Sequence, residues 1–268
     1  MRFVKTTKTN HLITDEDDED EDDYYNDYNC CDGDEDNNYN DDDFVNNLPY
    51  YLRIKIKLSN NNNAEVLSDK YNLYNPKTII KLKINIDQNY VDDVCSLGYV
   101  HTLEFLKKSC LFPDDYDSGY GIEFASKEGH VNVLEWWKHS GLKLKYSEGA
   151  LNYPSENNHI NVLEWWKNSG LELKYNEYSI NNASENNHIN VLEWWKNSGL
   201  PCKYNKYTLN YASEKGHINV LEWWKHSGLP LKYDENALKW ASSNDQVAVL
   251  EWWQNSGLEL FYTECAIN

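Results

Sequence analysis

The chain is expected to fold as a mainly α-helical solenoid of helix-turn-helix repeats, on three observations. Leu-Glu-Trp-Trp occurs five times between residues 134 and 253, each copy 29 residues after the last, with tryptophan pairs starting at Trp136, Trp165, Trp194, Trp223 and Trp252. The repetition fills the whole period: residues 147–175 read SEGALNYPSENNHINVLEWWKNSGLELKY and residues 176–204 read NEYSINNASENNHINVLEWWKNSGLPCKY. Within each copy the apolar residues recur at helical spacing. A fixed period of this length marks supersecondary units that cannot bury their apolar faces alone and gain a core by stacking.

Further copies start at Asn205 and Asp234, and a partial one occupies residues 263–268. Residues 117–146 form a copy one residue longer. Residues 88–116 fit weakly, with Tyr99 at the histidine position and Phe105-Leu106 at the tryptophan pair. The predicted repeats are therefore 88–116, 117–146, 147–175, 176–204, 205–233, 234–262 and the partial 263–268.

Each unit is read as two short antiparallel helices. The first starts after a residue able to cap free amides (Ser147, Asn176, Asn205, Asp234, Thr263). It runs through positions such as Ala150, Leu151 and Tyr153, and ends at a polar turn such as Glu156-Asn157-Asn158. The second starts near His159; Ile160, Val162, Leu163 and Trp166 then share one apolar stripe, and Gly170 stops it. Pro154 stands where other units have alanine, so that helix is expected to be kinked or short.

Residues 204–228, YNKYTLNYASEKGHINVLEWWKHSG, resemble the ankyrin repeat, with Leu209 and Ala212 in its first helix, Gly216-His217 as its turn pair and Gly228 as its closing glycine. The asparagine-rich, Trp-Trp-bearing form is similar to ankyrin-like proteins of amoeba-infecting giant DNA viruses. The resemblance covers residues 88–268. It implies that the first helices line a concave face that recognises a protein partner. Two departures stand out. The units have 29 residues rather than the family's ~33, which implies shortened or absent β-hairpin fingers. Lys138, Lys167, Lys196 and Lys225 also stand where the family usually has leucine.

The rest of the chain differs. Residues 15–43 hold 17 acidic residues and no lysine or arginine, against a net charge of −19 for the whole protein. Residues 1–43 are therefore expected to form a disordered acidic segment. Residues 44–87 are a small region in which YLRIKIKL (51–58) and IIKLKINI (79–86) alternate apolar and basic residues, predicting two strands that pack on the first repeat. No apolar run is long enough for a membrane span, and the N-terminus lacks a signal-peptide core. The six cysteines occupy no common repeat position. A monomer in a reducing intracellular compartment, cytoplasmic or nuclear and not secreted, is expected.

No catalytic, cofactor-binding or metal-ligating residue is expected. His130, His159, His188 and His217 recur once per unit, too far apart to share an ion, and read as structural. Glu135, Glu164, Glu193 and Glu222 precede lysines by three residues and predict exposed ion pairs. The second tryptophan of each pair shares the apolar stripe and reads as core; the first sits at its edge. Residues 44–268 carry 27 acidic and 22 basic residues, which argues against nucleic acid.

The expected function is a non-enzymatic scaffold that binds a protein partner. Its candidate contacts are Tyr178, Asn181, Tyr207, Asn210 and Lys239, on the side of the first helices expected to be exposed. The competing reading is an acidic-tail protein that binds basic partners (histone-like, or as a nucleic-acid mimic) with the repeats as carrier.

Overall fold

The computed structural model describes residues 51–57, 65–114, 116–117 and 119–262. The acidic segment 1–43 and the partial repeat 263–268 lie outside the described residues. Two strands, β1 (Tyr51–Lys57) and β2 (Glu65–Asn72), precede α1 (Pro76–Leu82). Six helix pairs follow: α2 (Gln88–Ser96) with α3 (Val100–Lys108), α4 (Tyr120–Lys127) with α5 (Val131–His139), α6 (Gly149–Glu156) with α7 (Ile160–Asn168), α8 (Tyr178–Glu185) with α9 (Ile189–Asn197), α10 (Tyr207–Glu214) with α11 (Ile218–His226), and α12 (Asn236–Ser243) with α13 (Val247–Asn255). The fold is mainly helical, a solenoid of stacked pairs.

The described residues form two compact units. One holds residues up to 94 together with 99–116; the other holds residues 95–98 and those from 117 onward. In the first unit β1 and β2 pair antiparallel, with Tyr51 opposite Asn72, Ile56 opposite Val66 and an irregularity between Arg53 and Lys55. The first predicted strand is where it was expected. The second is not: IIKLKINI begins inside α1, and EVLSDKYN supplies the partner strand.

The reason is local. Asn75 caps α1 by accepting the Lys77 amide at 2.8 Å, Pro76 presets the first helical φ, and Lys83 closes the turn at φ 45°. An Asn-Pro start outweighs an alternating pattern only a few residues long. The residues between β2 and α1 then bond to the weak first repeat. The Thr102 hydroxyl donates to the Tyr74 carbonyl at 2.6 Å and the Tyr90 hydroxyl to the Leu73 carbonyl at 2.7 Å, with the Tyr74 and Tyr90 rings 5.1 Å apart.

The second unit repeats one design. Ser147, Asn176, Asn205 and Asp234 each accept, through the side chain, the amide two residues on, at 3.0–3.2 Å. These are the predicted caps. Each second helix ends in Ser-Gly. Ser169 Oγ donates to the Trp166 carbonyl at 2.7 Å and accepts the Leu171 amide at 3.1 Å, while Gly170 takes φ 76°, where a Cβ would be strained. Pro154 does not shorten its helix: α6 spans eight residues, as α8, α10 and α12 do. In so short a helix the ring removes one amide donor, and it lies buried where its counterparts are alanines.

The core is a tryptophan ladder. Trp137, Trp166, Trp195, Trp224 and Trp253 are at most 1% exposed. From Trp166 on, each indole N–H donates to a serine in the first helix of the preceding repeat: Trp166 to Ser126, Trp195 to Ser155, Trp224 to Ser184 and Trp253 to Ser213, at 2.9–3.1 Å. Tyr146, Tyr175, Tyr204 and Tyr233 lie against these four rings at 4.7 Å.

The first tryptophans are half-buried and bond differently. Trp165, Trp194, Trp223 and Trp252 donate to Glu135, Glu164, Glu193 and Glu222 of the preceding repeat at 2.6–2.8 Å. The glutamates are thus engaged across repeats rather than in the expected pairs with lysines three residues on. Lys196 and Lys225 instead lie over the Trp223 and Trp252 rings at 5.9 and 6.0 Å. A half-buried indole N–H needs an acceptor more than a solvated lysine needs a partner.

Trp166→Ala should destabilise the protein by roughly 3–5 kcal/mol, as for large core truncations. Trp165→Ala, at the half-exposed edge, should cost clearly less. Chemical denaturation of the two variants decides it, and equal losses would contradict the ladder.

Candidate functional site

The first helices α4, α6, α8, α10 and α12 pack side by side in a closely contacting row, while α5, α7, α9, α11 and α13 touch one another more sparsely. The outer side of the first row carries the sequence-predicted candidates, and the structure divides them. Tyr178 is 57% exposed and Tyr207 37%. Lys239 is exposed on α12.

Asn181 and Asn210 are not on the surface; they are 1% and 0% exposed. The expected exposed placement is corrected for both. The Asn181 amide group donates to Asn205 Oδ1 at 2.9 Å, and its oxygen accepts from the Thr208 hydroxyl at 2.6 Å and the Asn205 amide at 3.4 Å. Asn210 repeats this toward Asp234 at 2.7 Å, and Asn152 toward Asn176 at 2.9 Å. In α4 the same position is Glu123, whose carboxylate accepts the Ser147 amide at 2.7 Å. The asparagine therefore holds the capping residue of the following repeat. Lys239 occupies this position in α12 and is exposed.

Exposed and half-buried aromatic rings fill the remainder of the face. Tyr207, Tyr211 and Trp240 lie nearly parallel: Tyr207 to Tyr211 at 5.2 Å and 18°, Tyr211 to Trp240 at 5.6 Å and 15°, and Tyr207 to Trp240 at 6.3 Å and 6°. Tyr120 and Phe124 stack likewise on α4, 5.8 Å apart. The predicted candidates omitted Tyr211 and Trp240. Their spacing was a usable signal, since both stand four residues after the helix-start position that holds Tyr207 and Asn236.

Charge is distributed around these rings. Lys206 binds Asp234 at 2.6 Å and sits 5.8 Å over the Tyr207 ring. Lys215 reaches Glu185 at 3.6 Å and Glu214 at 3.7 Å. Burial pushes the Tyr211 phenol above its ordinary pKa, and the nearby Glu185 and Glu214 carboxylates add to the shift.

Elsewhere the repeated histidines bond backward along the stack. His130 Nε2 lies 3.0 Å from the Ser96 carbonyl and His217 Nε2 3.0 Å from the Glu185 carbonyl. Among the described residues no three His, Cys, Asp or Glu side chains gather where they could hold a metal ion. A shallow, open groove of about 430 Å³ between α7 and α9 is lined by Glu164, Lys167, Glu193 and Trp194. No described helix is long and apolar enough to cross a membrane.

No protein-family model matches the chain. A stretch of 77 residues is 38% identical to an uncharacterized protein of Acanthamoeba polyphaga mimivirus, covering 28% of this chain and 23% of that one. The chain thus spans about a quarter of that relative's length. A solved structure, titled as a predatory endopeptidase from Bdellovibrio bacteriovorus in complex with an immunity protein, includes a chain similar at 15% identity and a TM-score of 0.45. That match covers 60% of this chain and 96% of that one.

Two predictions follow from the inter-repeat bonds. Asn181→Ala should cost about 1–3 kcal/mol by leaving the Asn205 and Thr208 groups short of a partner, whereas Tyr178→Ala should stay within about 0.5 kcal/mol. Denaturation midpoints would separate them, and a neutral Asn181→Ala would show that the ladder carries no stability.

The second concerns acid. Burial holds the His188 pKa below its ordinary 6.5, partly offset by the Glu156 backbone, with His217 and His159 lowering it further. A depressed pKa means stability is fully present above 6.5 and lost as pH falls through the folded-state value. Urea midpoints should therefore decrease from pH 7.5 to 5.5, and less steeply in His188→Gln, which copies Gln246 of the last repeat.

Proposed function

We propose that this protein is a non-enzymatic interaction scaffold that captures a protein partner on the solvent-facing side of its first helices, in the manner of ankyrin repeats. The observation that carries the reading is the row of aromatic rings on the first helices, with Tyr178 and Tyr207 exposed beside half-buried Tyr211 and Trp240, on helices whose buried asparagines tie each repeat to the next. Aromatic side chains on a preorganised surface give large contact area at little entropic cost, and they dominate binding hot spots. The closer packing of the first helices supports placing this face on the inner, concave side of the bend. The giant-virus relative supports a viral origin, with the protein acting inside the infected cell.

The acidic segment 1–43 supports the competing reading, in which basic partners bind electrostatically and the repeats are a carrier. The stacked aromatic face favours the repeats, since a carrier has no need of rings held parallel at its surface.

Tyr178→Ala combined with Tyr207→Ala should reduce partner capture at least tenfold in affinity pull-downs from host-cell extract, while removal of residues 1–43 should leave capture largely intact. Salt sharpens the test. Screening shortens from about 10 Å at 0.1 M to about 3 Å at 1 M, so tail-driven capture should collapse at high salt and face-driven capture persist. Loss on tail removal, with indifference to both tyrosines, would overturn the proposal.

A further inference from the structure

We propose that the first-helix face is built to hold an extended, arginine-bearing segment of a partner, with guanidinium groups stacked on the Tyr207–Tyr211–Trp240 platform and paired with the neighbouring carboxylates. This inference rests on the docking-face reading above and specifies the chemistry of its occupant.

Three observations converge on it. The rings are parallel to within 18°, so their π faces share one direction. A π face carries negative potential and attracts a cation held within about 6 Å of the ring centre. The chain already uses its own cation this way, since Lys206 lies 5.8 Å over Tyr207.

Carboxylates border the same rings. Glu185 and Glu214 stand at the ends of α8 and α10 and meet at Lys215, 3.6 and 3.7 Å away. Lys215 is exposed, so its ammonium is a replaceable counter-ion rather than a structural one. Arginine answers both features with one group: the planar guanidinium stacks on aromatic faces while its edge donates two parallel hydrogen bonds to a carboxylate. Lysine offers only a compact point charge.

The spacing sets the form of the segment. Glu156, Glu185 and Glu214 recur once per repeat at the ends of α6, α8 and α10. Packed helices lie about 8–10 Å apart, and an extended chain advances roughly 3.3 Å per residue. Arginines at every third residue would therefore keep pace with the repeats. The lysines of the second helices, Lys138, Lys167, Lys196 and Lys225, are on the other helix of each pair and do not oppose a cationic ligand here.

The test uses the full-length protein and a fluorescent peptide of three Arg-Ser-Ser repeats, with Lys-Ser-Ser and Glu-Ser-Ser peptides and a neutral oligosaccharide as further probes, read by anisotropy. The arginine peptide should bind at least fivefold more tightly than the lysine peptide, and the acidic peptide should not bind. Glu185→Gln with Glu214→Gln, or Trp240→Ala alone, should weaken arginine-peptide binding at least tenfold. Lys215→Ala should strengthen it severalfold by freeing the carboxylates. Circular dichroism and denaturation midpoints confirm that each variant is folded.

Equal binding of the arginine and lysine peptides would overturn the proposal, as would binding unchanged by the face variants, which would place the peptide on the acidic N-terminal segment. Binding of the oligosaccharide but not the peptide would also overturn it and make the platform a sugar-stacking surface. If no peptide binds while Tyr178→Ala with Tyr207→Ala still abolishes partner capture, the arginine chemistry fails and the docking face stands.

Discussion

A buried indole N–H must find an acceptor, and the regular stack depends on how that demand is met. Burying an amide-like donor without a partner costs about 1–3 kcal/mol, and this chain buries one in each repeat from Trp137 to Trp253. From Trp166 onward the acceptor is a serine 40 residues earlier, in the first helix of the preceding repeat. The bond fixes distance and register between neighbours together. A tryptophan placed one turn away would lose both its serine and its tyrosine contact, so stacking has one low-energy solution.

The asparagine ladder does for the first helices what tryptophan and serine do for the core. Asn152, Asn181 and Asn210 each hold the capping residue of the next repeat, so helix initiation is coupled to stacking. A first helix is only eight residues long, too short to persist alone in water. Its stability therefore comes from its neighbours, and the repeats form as a cooperative array.

The residues of the first helices divide by the direction they face. Positions facing along the stack are fully engaged. Positions facing away from it, where Tyr178, Tyr207, Tyr211 and Trp240 stand, vary from repeat to repeat without disturbing the frame. The platform of parallel rings arises where consecutive repeats place aromatics at adjacent positions.

The sequence by itself determined the period, the helix pairs, their caps and stops, and the core role of the second tryptophan. These follow from local chemistry, because capping needs a side-chain acceptor beside the helix start and burial follows the 3.6-residue stripe. What only the tertiary structure decided is where bonds run between repeats. Asn181 and Asn210 looked like exposed polar residues on a helix wheel, but the following repeat lies over them. Glu164 looked like a partner for Lys167 until the next repeat's Trp194 took it. The strand expected at IIKLKINI became a helix because the Asn-Pro cap acts at once, whereas alternation is rewarded only if a partner strand is in reach. A single repeat carries its own helical pattern in full, but not the identity of the atoms that its neighbours will press against it.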